Sequence, residues 1–151
     1  MDSNESVLAN IIATSISRPN YIEGKKVLAS TPPTASTSLN CLFLLPLYKN
    51  MTVILDPRVG EKLYTEQLFK YKPSITIITG SYLEAFFREV ENQLKSGKDV
   101  DLSFADFYTI GGSGTTPERL AKMNALMQQC GAHSKVVVGY GASEFFGVIS
   151  I

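Results

Sequence analysis

The chain carries no excess charge of either sign, with 14 Lys and Arg residues set against 14 Asp and Glu. That balance gives no field to gather nucleic acid or an anionic membrane, so no nucleic-acid partner is expected. Cysteine is scarce. The two present, Cys41 and Cys130, lack the short C-x-x-C spacing of a zinc site or redox pair, and their apolar settings point to reduced thiols in a cytoplasmic protein. Long hydrophobic runs are also missing: "LNCLFLLPLY" is too short to cross a bilayer and contains a proline. The acidic opening "MDSNES" lacks the basic flank of a signal peptide. Histidine occurs once, at His133 in "CGAHSKV", where a surface loop position is expected and a catalytic base is the alternative. With no Gly-x-Ser-x-Gly elbow and no Ser, His and Asp set, a hydrolase reading has nothing to hold.

What the sequence does contain is one alternation, repeated over 151 residues whose 44% hydrophobic content suits one domain with its own core. "ESVLANIIATSIS" places Val7, Leu8, Ile11, Ile12, Ser15 and Ile16 in doublets at helical spacing, and Arg18-Pro19 ends the stripe. The strand "KKVLAS" follows. "TASTSLNCLFLLPLYKN" is apolar almost all round, which predicts a buried helix ended or kinked at Pro46. "MTVIL" predicts a second strand, "GEKLYTEQLFKYK" a helix through Tyr64 and Leu68, and "PSITIITG" a third strand. Ser81 and Glu84 have capping-box spacing, so the next helix is expected to start at Ser81 and to bury Leu83, Phe86, Phe87, Val90 and Leu94. "SFADFYTIGG" is the fourth strand. Thr116-Pro117-Glu118 supplies an N-cap, a first-position proline and a first-turn acid, Leu120, Met123, Leu126 and Met127 form the inner stripe, and Gly131 closes the helix. "SKVVV" is the fifth strand.

Strands apolar on both faces, alternating with helices, predict an α/β fold: a doubly wound, mainly parallel five-stranded sheet flanked by helices. Ligands of such sheets collect at the carboxyl ends of the strands. Both "GGSGTT" and "GYGASE" fall there. Gly111 and Gly112 allow a sharp turn and close approach of a flat ligand, and Gly139 and Gly141 bracket Tyr140, whose ring offers a stacking face. Ser143 and Glu144 add hard oxygen atoms of the kind that bind Mg²⁺ together with phosphates. A flat base joined to a metal-bridged phosphate is what a nucleotide presents. The plain alternative makes both loops turns only, with Glu144 as a first-turn acid.

"YGASE", Tyr140 to Glu144, with "GGSGT" one helix earlier, resembles the central part of the adenylate-forming enzymes: acyl-CoA synthetases, aryl-CoA ligases, peptide adenylation domains and luciferases. "LFLLPLYKNMTVILDP" and "LFKYKPSITIITGSYLEAFF" resemble the segments before it, so the likeness runs along nearly the whole chain. It implies that Tyr140 stacks on adenine, that Gly112 and Ser113 line the adenine and acyl side, that Ser143 contacts phosphate and that Glu144 holds Mg²⁺. The implied cofactor-binding set is Gly111, Gly112, Ser113, Tyr140, Gly141 and Ala142, with Ser143 and Glu144 catalytic. Gly80 falls where an acyl-pocket wall is expected. The implied reaction uses ATP to activate a carboxylic acid as an acyl-adenylate, then passes the acyl group to coenzyme A.

Departures accompany the likeness. Gly139 stands where the family often has asparagine, and "STPPTAS" replaces a loop that commonly carries an aromatic residue or histidine. The family's Gly-rich Ser/Thr loop ending in Lys, its ribose-binding aspartate and its C-terminal lysine domain are not found. The expectation is therefore that residues 1–151 form one α/β unit of a larger adenylate-forming enzyme, not catalytic alone, able to self-associate through surfaces its neighbours would cover. The competing expectation is a free-standing nucleotide-binding or flavodoxin-like regulatory module.

Overall fold

The computed structural model describes residues 3–142 and the backbone of 147–150. Five parallel strands form the main sheet in the order β2-β1-β3-β4-β5, with β1 Lys26–Ala29, β2 Thr52–Leu55, β3 Ile75–Ile78, β4 Phe107–Ile110 and β5 Val137–Val138. A short antiparallel ribbon follows, β6 Tyr140–Ala142 against β7 Gly147–Ser150. Helices cover both faces, as the alternating pattern predicts.

Period-two side chains of each strand feed two cores. Val27, Ala29, Ile75, Ile77 and the partly buried Phe107 meet α1 (Asn4–Ser17) and the helical run from Ser36 to Tyr48. Leu28, Tyr108 and Ile110 meet α4 (Glu61–Tyr71), α5 (Gly80–Lys95) and α6 (Pro117–Gln129). The first crossover lies on one face and the next three on the other. The winding direction therefore reverses between β1 and β3, which opens a crevice at their carboxyl ends.

Several local expectations are corrected. On α1 only one member of each doublet turns inward: Ile11 and Ser15 are buried, whereas Leu8, Ile12 and Ile16 are exposed. The inner row runs Ile11, Thr14, Ser15 and on to Arg18 at helical spacing. Pro46 does not end its helix. The chain winds as α2 (Ser36–Ser38), a π-helical segment (Leu39–Leu44) and α3 (Leu45–Tyr48), with the Leu45 amide donating to the Asn40 carbonyl five residues back. The wider turn accommodates a ring that would otherwise crowd the preceding carbonyls.

The Ser81 capping box does not form. Helix α5 begins at Gly80 with Thr79 as its N-cap, and Glu84 pairs with Arg119 of α6 at 3.0 Å. "SKVVV" yields a strand of only two residues because Asn124 of α6 takes both backbone groups of Val136, accepting from its N–H at 2.7 Å and donating to its C=O at 3.4 Å. The Thr116 cap is present, its hydroxyl oxygen accepting from the Arg119 amide at 3.4 Å, and Gly131 follows α6 at φ +83°.

Two features carry measurable stability. Phe86 is fully buried against Phe69, Phe87 and Tyr108; Phe86→Ala is expected to cost about 3 to 5 kcal/mol, seen as a lower urea midpoint. After β2, Asp56 accepts from the Arg58 guanidinium at 2.6 and 2.9 Å and from the Tyr71 hydroxyl at 3.1 Å. The Arg58 hydrogen bonds, foremost, hold its carboxyl well below the usual carboxylate range. A depressed folded pKa gives stability that is present above the unfolded value of about 4 and lost as pH falls through the folded one. Melting temperatures of the wild type and Asp56→Asn should accordingly differ most near neutrality and converge in acid.

Candidate functional site

Glycines end the fourth and fifth strands, and backbone hydrogen bonds place them side by side. The Gly111 amide donates to Ile78 C=O at 2.9 Å, and the Gly139 amide donates to Ile110 C=O at 2.8 Å. Each bond continues the ladder one step past its strand. At Gly111 a Cβ would lie 3.3 Å from the Ile77 methyl, and Gly112 holds φ +70°. A side chain at the first position would crowd the Ile77 methyl, and at the second it would be strained by the backbone conformation.

These ends, with the segment after β1, enclose a cavity of about 220 Å³. Gly111 and Gly112 form one side, while Gly139, Tyr140 and Gly141 form another. Ile77, Ile78 and Thr79 continue the wall from β3, and Thr31, Ala35, Ser38 and Leu42 close it from the first crossover. The cavity thus opens along the edge on which the two glycine loops were expected to meet. Tyr140 is 64% exposed, leaving an apolar ring available for stacking on a flat ligand.

Two other side chains lining the cavity were not anticipated from sequence. Arg18, only 4% exposed, and Thr109, 2% exposed, both contribute to the wall. Arg18 lies over the Phe107 ring at 5.2 Å, beside Tyr21 and Cys41. Burial pushes the Tyr21 phenol and the Cys41 thiol up, so neither supplies a counter-charge. The cavity lining includes no carboxylate among the described residues. A signal for Arg18 existed in its helical register with Ile11 and Thr14; Thr109 was masked as an ordinary strand residue.

The remaining expected site residues fall in different places. Ser113 turns back to accept a hydrogen bond from the Gly80 amide at 2.9 Å. It thus satisfies one of the free donors at the N-terminus of α5, the work expected of Ser81. Gly80 packs beneath this loop, where a Cβ would sit 3.5 Å from Ser113 Oγ and 3.6 Å from Gly114 O. Ala142 lies in the ribbon strand β6. Ser143 and Glu144 lie outside the described residues. His133 is exposed, as its expected surface loop position requires, and Cys41 and Cys130 are free thiols in buried, apolar settings. Among the described residues no three His, Cys, Asp or Glu side chains gather as a metal site, and no helix is long and apolar enough to cross a membrane.

Because Ser113 ties the loop after β4 to the first turn of α5, Ser113→Ala should destabilise the fold by about 1 kcal/mol. Denaturant unfolding of the variant checks this; an unchanged midpoint would show that the bond contributes nothing.

The sequence matches the family described as AMP-binding enzyme over residues 1–151. No curated protein matches. Among solved structures, a long-chain-fatty-acid-CoA ligase from Archaeoglobus fulgidus superposes with a TM-score of 0.73 at 16% identity, over 95% of this chain and 28% of that one. A fatty acid AMP ligase from Legionella pneumophila gives 0.75 at 18% identity, over 99% and 26%. The McyG A-PCP structure complexed with phenylalanyl-adenylate gives 0.78 at 13% identity, over 98% and 24%. At such identities these likenesses concern the fold. The chain spans about a quarter of the length of those three chains.

Proposed function

The chain belongs to the AMP-binding enzyme family, and from that premise we propose that it supplies the nucleotide-facing wall and part of the acid pocket of an adenylate-forming ligase. In this reading ATP and a carboxylic acid are the substrates and an acyl-adenylate is the intermediate, with coenzyme A as the acceptor. The observation that carries the proposal is the convergence of Gly111, Gly112, Gly139, Tyr140 and Gly141 on one cavity at the strand ends. Bare glycine backbone admits the edge of a flat base, and Tyr140 offers the plate against which it stacks.

The residues present fit an adenosine moiety better than they fit a metal ion. The described lining holds glycine backbone, an open aromatic ring and hydroxyls, but no carboxylate. Mg²⁺ in this proposal would be held by Glu144 together with the nucleotide's phosphates, and Ser143 would donate to a phosphate oxygen. When bound, Mg²⁺ supplies charge neutralisation at the phosphates. This chain's own residues orient the base and the acid.

The proposal treats residues 1–151 as one α/β unit acting with further segments of the family's fold, inactive by itself and cytoplasmic. The exposed row Leu8, Ile12 and Ile16, with Leu47 and Tyr48, would then be a surface through which isolated copies self-associate. Tyr140→Ala should weaken AMP binding to the chain by about tenfold, the scale of one lost base–aromatic stack. Calorimetric titration with AMP tests this, and equal affinity of variant and wild type would contradict the stacking role.

A further inference from the structure

A guanidinium withdrawn from water without an acidic partner is expensive, because its charge loses hydration and gains no opposing charge in return. Arg18 is in that position. It belongs to none of the ion pairs among the described residues, and its Nη1 is shielded from solvent with no hydrogen-bond partner. The Phe107 ring beneath it and the neutral Tyr21 hydroxyl beside it compensate the charge only in part. The nearest carboxylate in sequence to Phe107, Asp106, is taken by Lys25 at 2.6 Å. Thr109 repeats the pattern on the same wall: its Oγ1 is buried and unpartnered, and it lines the same cavity.

The placement of these two groups along β4 gives the cavity a direction. Arg18 sits over Phe107, the first residue of the strand, whereas Gly111 and Gly112 follow its last. Four residues of strand separate the levels by roughly 13 Å. Phe107, Thr109 and Gly111 share a strand face by their alternation. The cavity therefore has a cationic end at Arg18, a hydroxyl from Thr109 part of the way along, and the glycine loops with Tyr140 at the other end. Leu42 and Ile77 supply apolar wall between them.

We infer that Arg18 is a specificity-determining residue which, with Thr109, receives a second carboxylate at the far end of the acid substrate, so that the preferred substrates are aliphatic dicarboxylic acids. The inference rests on the acid-activating reading above and names its substrate class. A planar guanidinium is suited to a carboxylate because it offers parallel N–H donors, and a hydroxyl can add a further donor. One acid end is held at Arg18, the methylene chain lies along Leu42 and Ile77, and the other carboxyl group is left toward the glycine loops. A monocarboxylic acid of the same length would leave the buried charge unanswered, and the site would discriminate against it.

The test is calorimetric titration of the 151-residue chain with butanedioate, hexanedioate and octanedioate, each against the monocarboxylate of equal carbon number. At least one diacid should bind about tenfold to a hundredfold more tightly than its matched monoacid, the range for a charge-assisted hydrogen bond to a buried group. Arg18→Met should erase that ratio and Arg18→Lys should keep part of it; the wild-type ratio decides the matter even if Arg18→Met does not fold. Equal binding of diacids and monoacids, binding of neither, or a ratio that survives in folded Arg18→Met overturns the inference. AMP titrated into the same wild-type sample is read separately, so failure to bind AMP counts against the nucleotide reading while the acid ratio judges Arg18.

Discussion

Two backbone hydrogen bonds, from Gly111 to Ile78 and from Gly139 to Ile110, are the constraint on which the site depends. They extend the β3–β4 and β4–β5 ladders beyond the last strand residues and hold consecutive turns against one another. Register does the rest, since Ile78 pairs with Ile110 and Ile110 with Val138. A slip of one residue in β4 would reverse its faces, sending Thr109 into the core beneath α5 and Tyr108 toward the cavity. The buried Tyr108 hydroxyl, which donates to the Pro73 carbonyl at 3.1 Å, and the packing of Ile110 both resist that slip.

The sheet's winding explains why the cavity sits where it does. The helical run from Ser36 to Tyr48 covers one face and α4 to α6 the other, so the chain leaves β1 and β3 toward opposite faces and the cavity forms at the carboxyl edge between them, with Ser38 and Leu42 on one side. The opening is then shaped by short polar bonds. The hydroxyls of Thr31 and Ser38 bond to each other, drawing the segment after β1 onto its helix, and Ser113 secures the loop after β4 to α5. The Ser113 bond acts on the positive end of a helix of 16 residues, where free amides would otherwise compete for water or ligand.

The parallel α/β class, the alternation of strands with helices and the inner faces of α5 and α6 were legible in the sequence because each rests on a periodic burial pattern, whereas the strand order β2-β1-β3-β4-β5 was not. Phe86, Phe87 and Val90 on one helix, and Met123 and Met127 on the next, are all buried. The glycine loops were legible because turn chemistry is local. What escaped was set by contacts distant in sequence. Asn124 reaching Val136 shortened β5, Ser113 reaching Gly80 displaced the expected Ser81 cap, and the π-helical winding before Pro46 kept that helix continuous. Arg18 escaped for a different reason. An arginine before a proline signals a helix end, and that reading outweighed its helical register with Ile11 and Thr14, which buries it against Phe107.

The central claim is that adjacent strand ends form one nucleotide-facing cleft, and amide NMR of the chain with added AMP addresses it most directly. The account predicts shifts at Gly111, Gly112, Gly139 and Gly141, with the salt-bridged groove between α5 and α6 at Glu91 and Lys122 undisturbed. Shifts confined to that groove, or to only one of the two glycine loops, would contradict it.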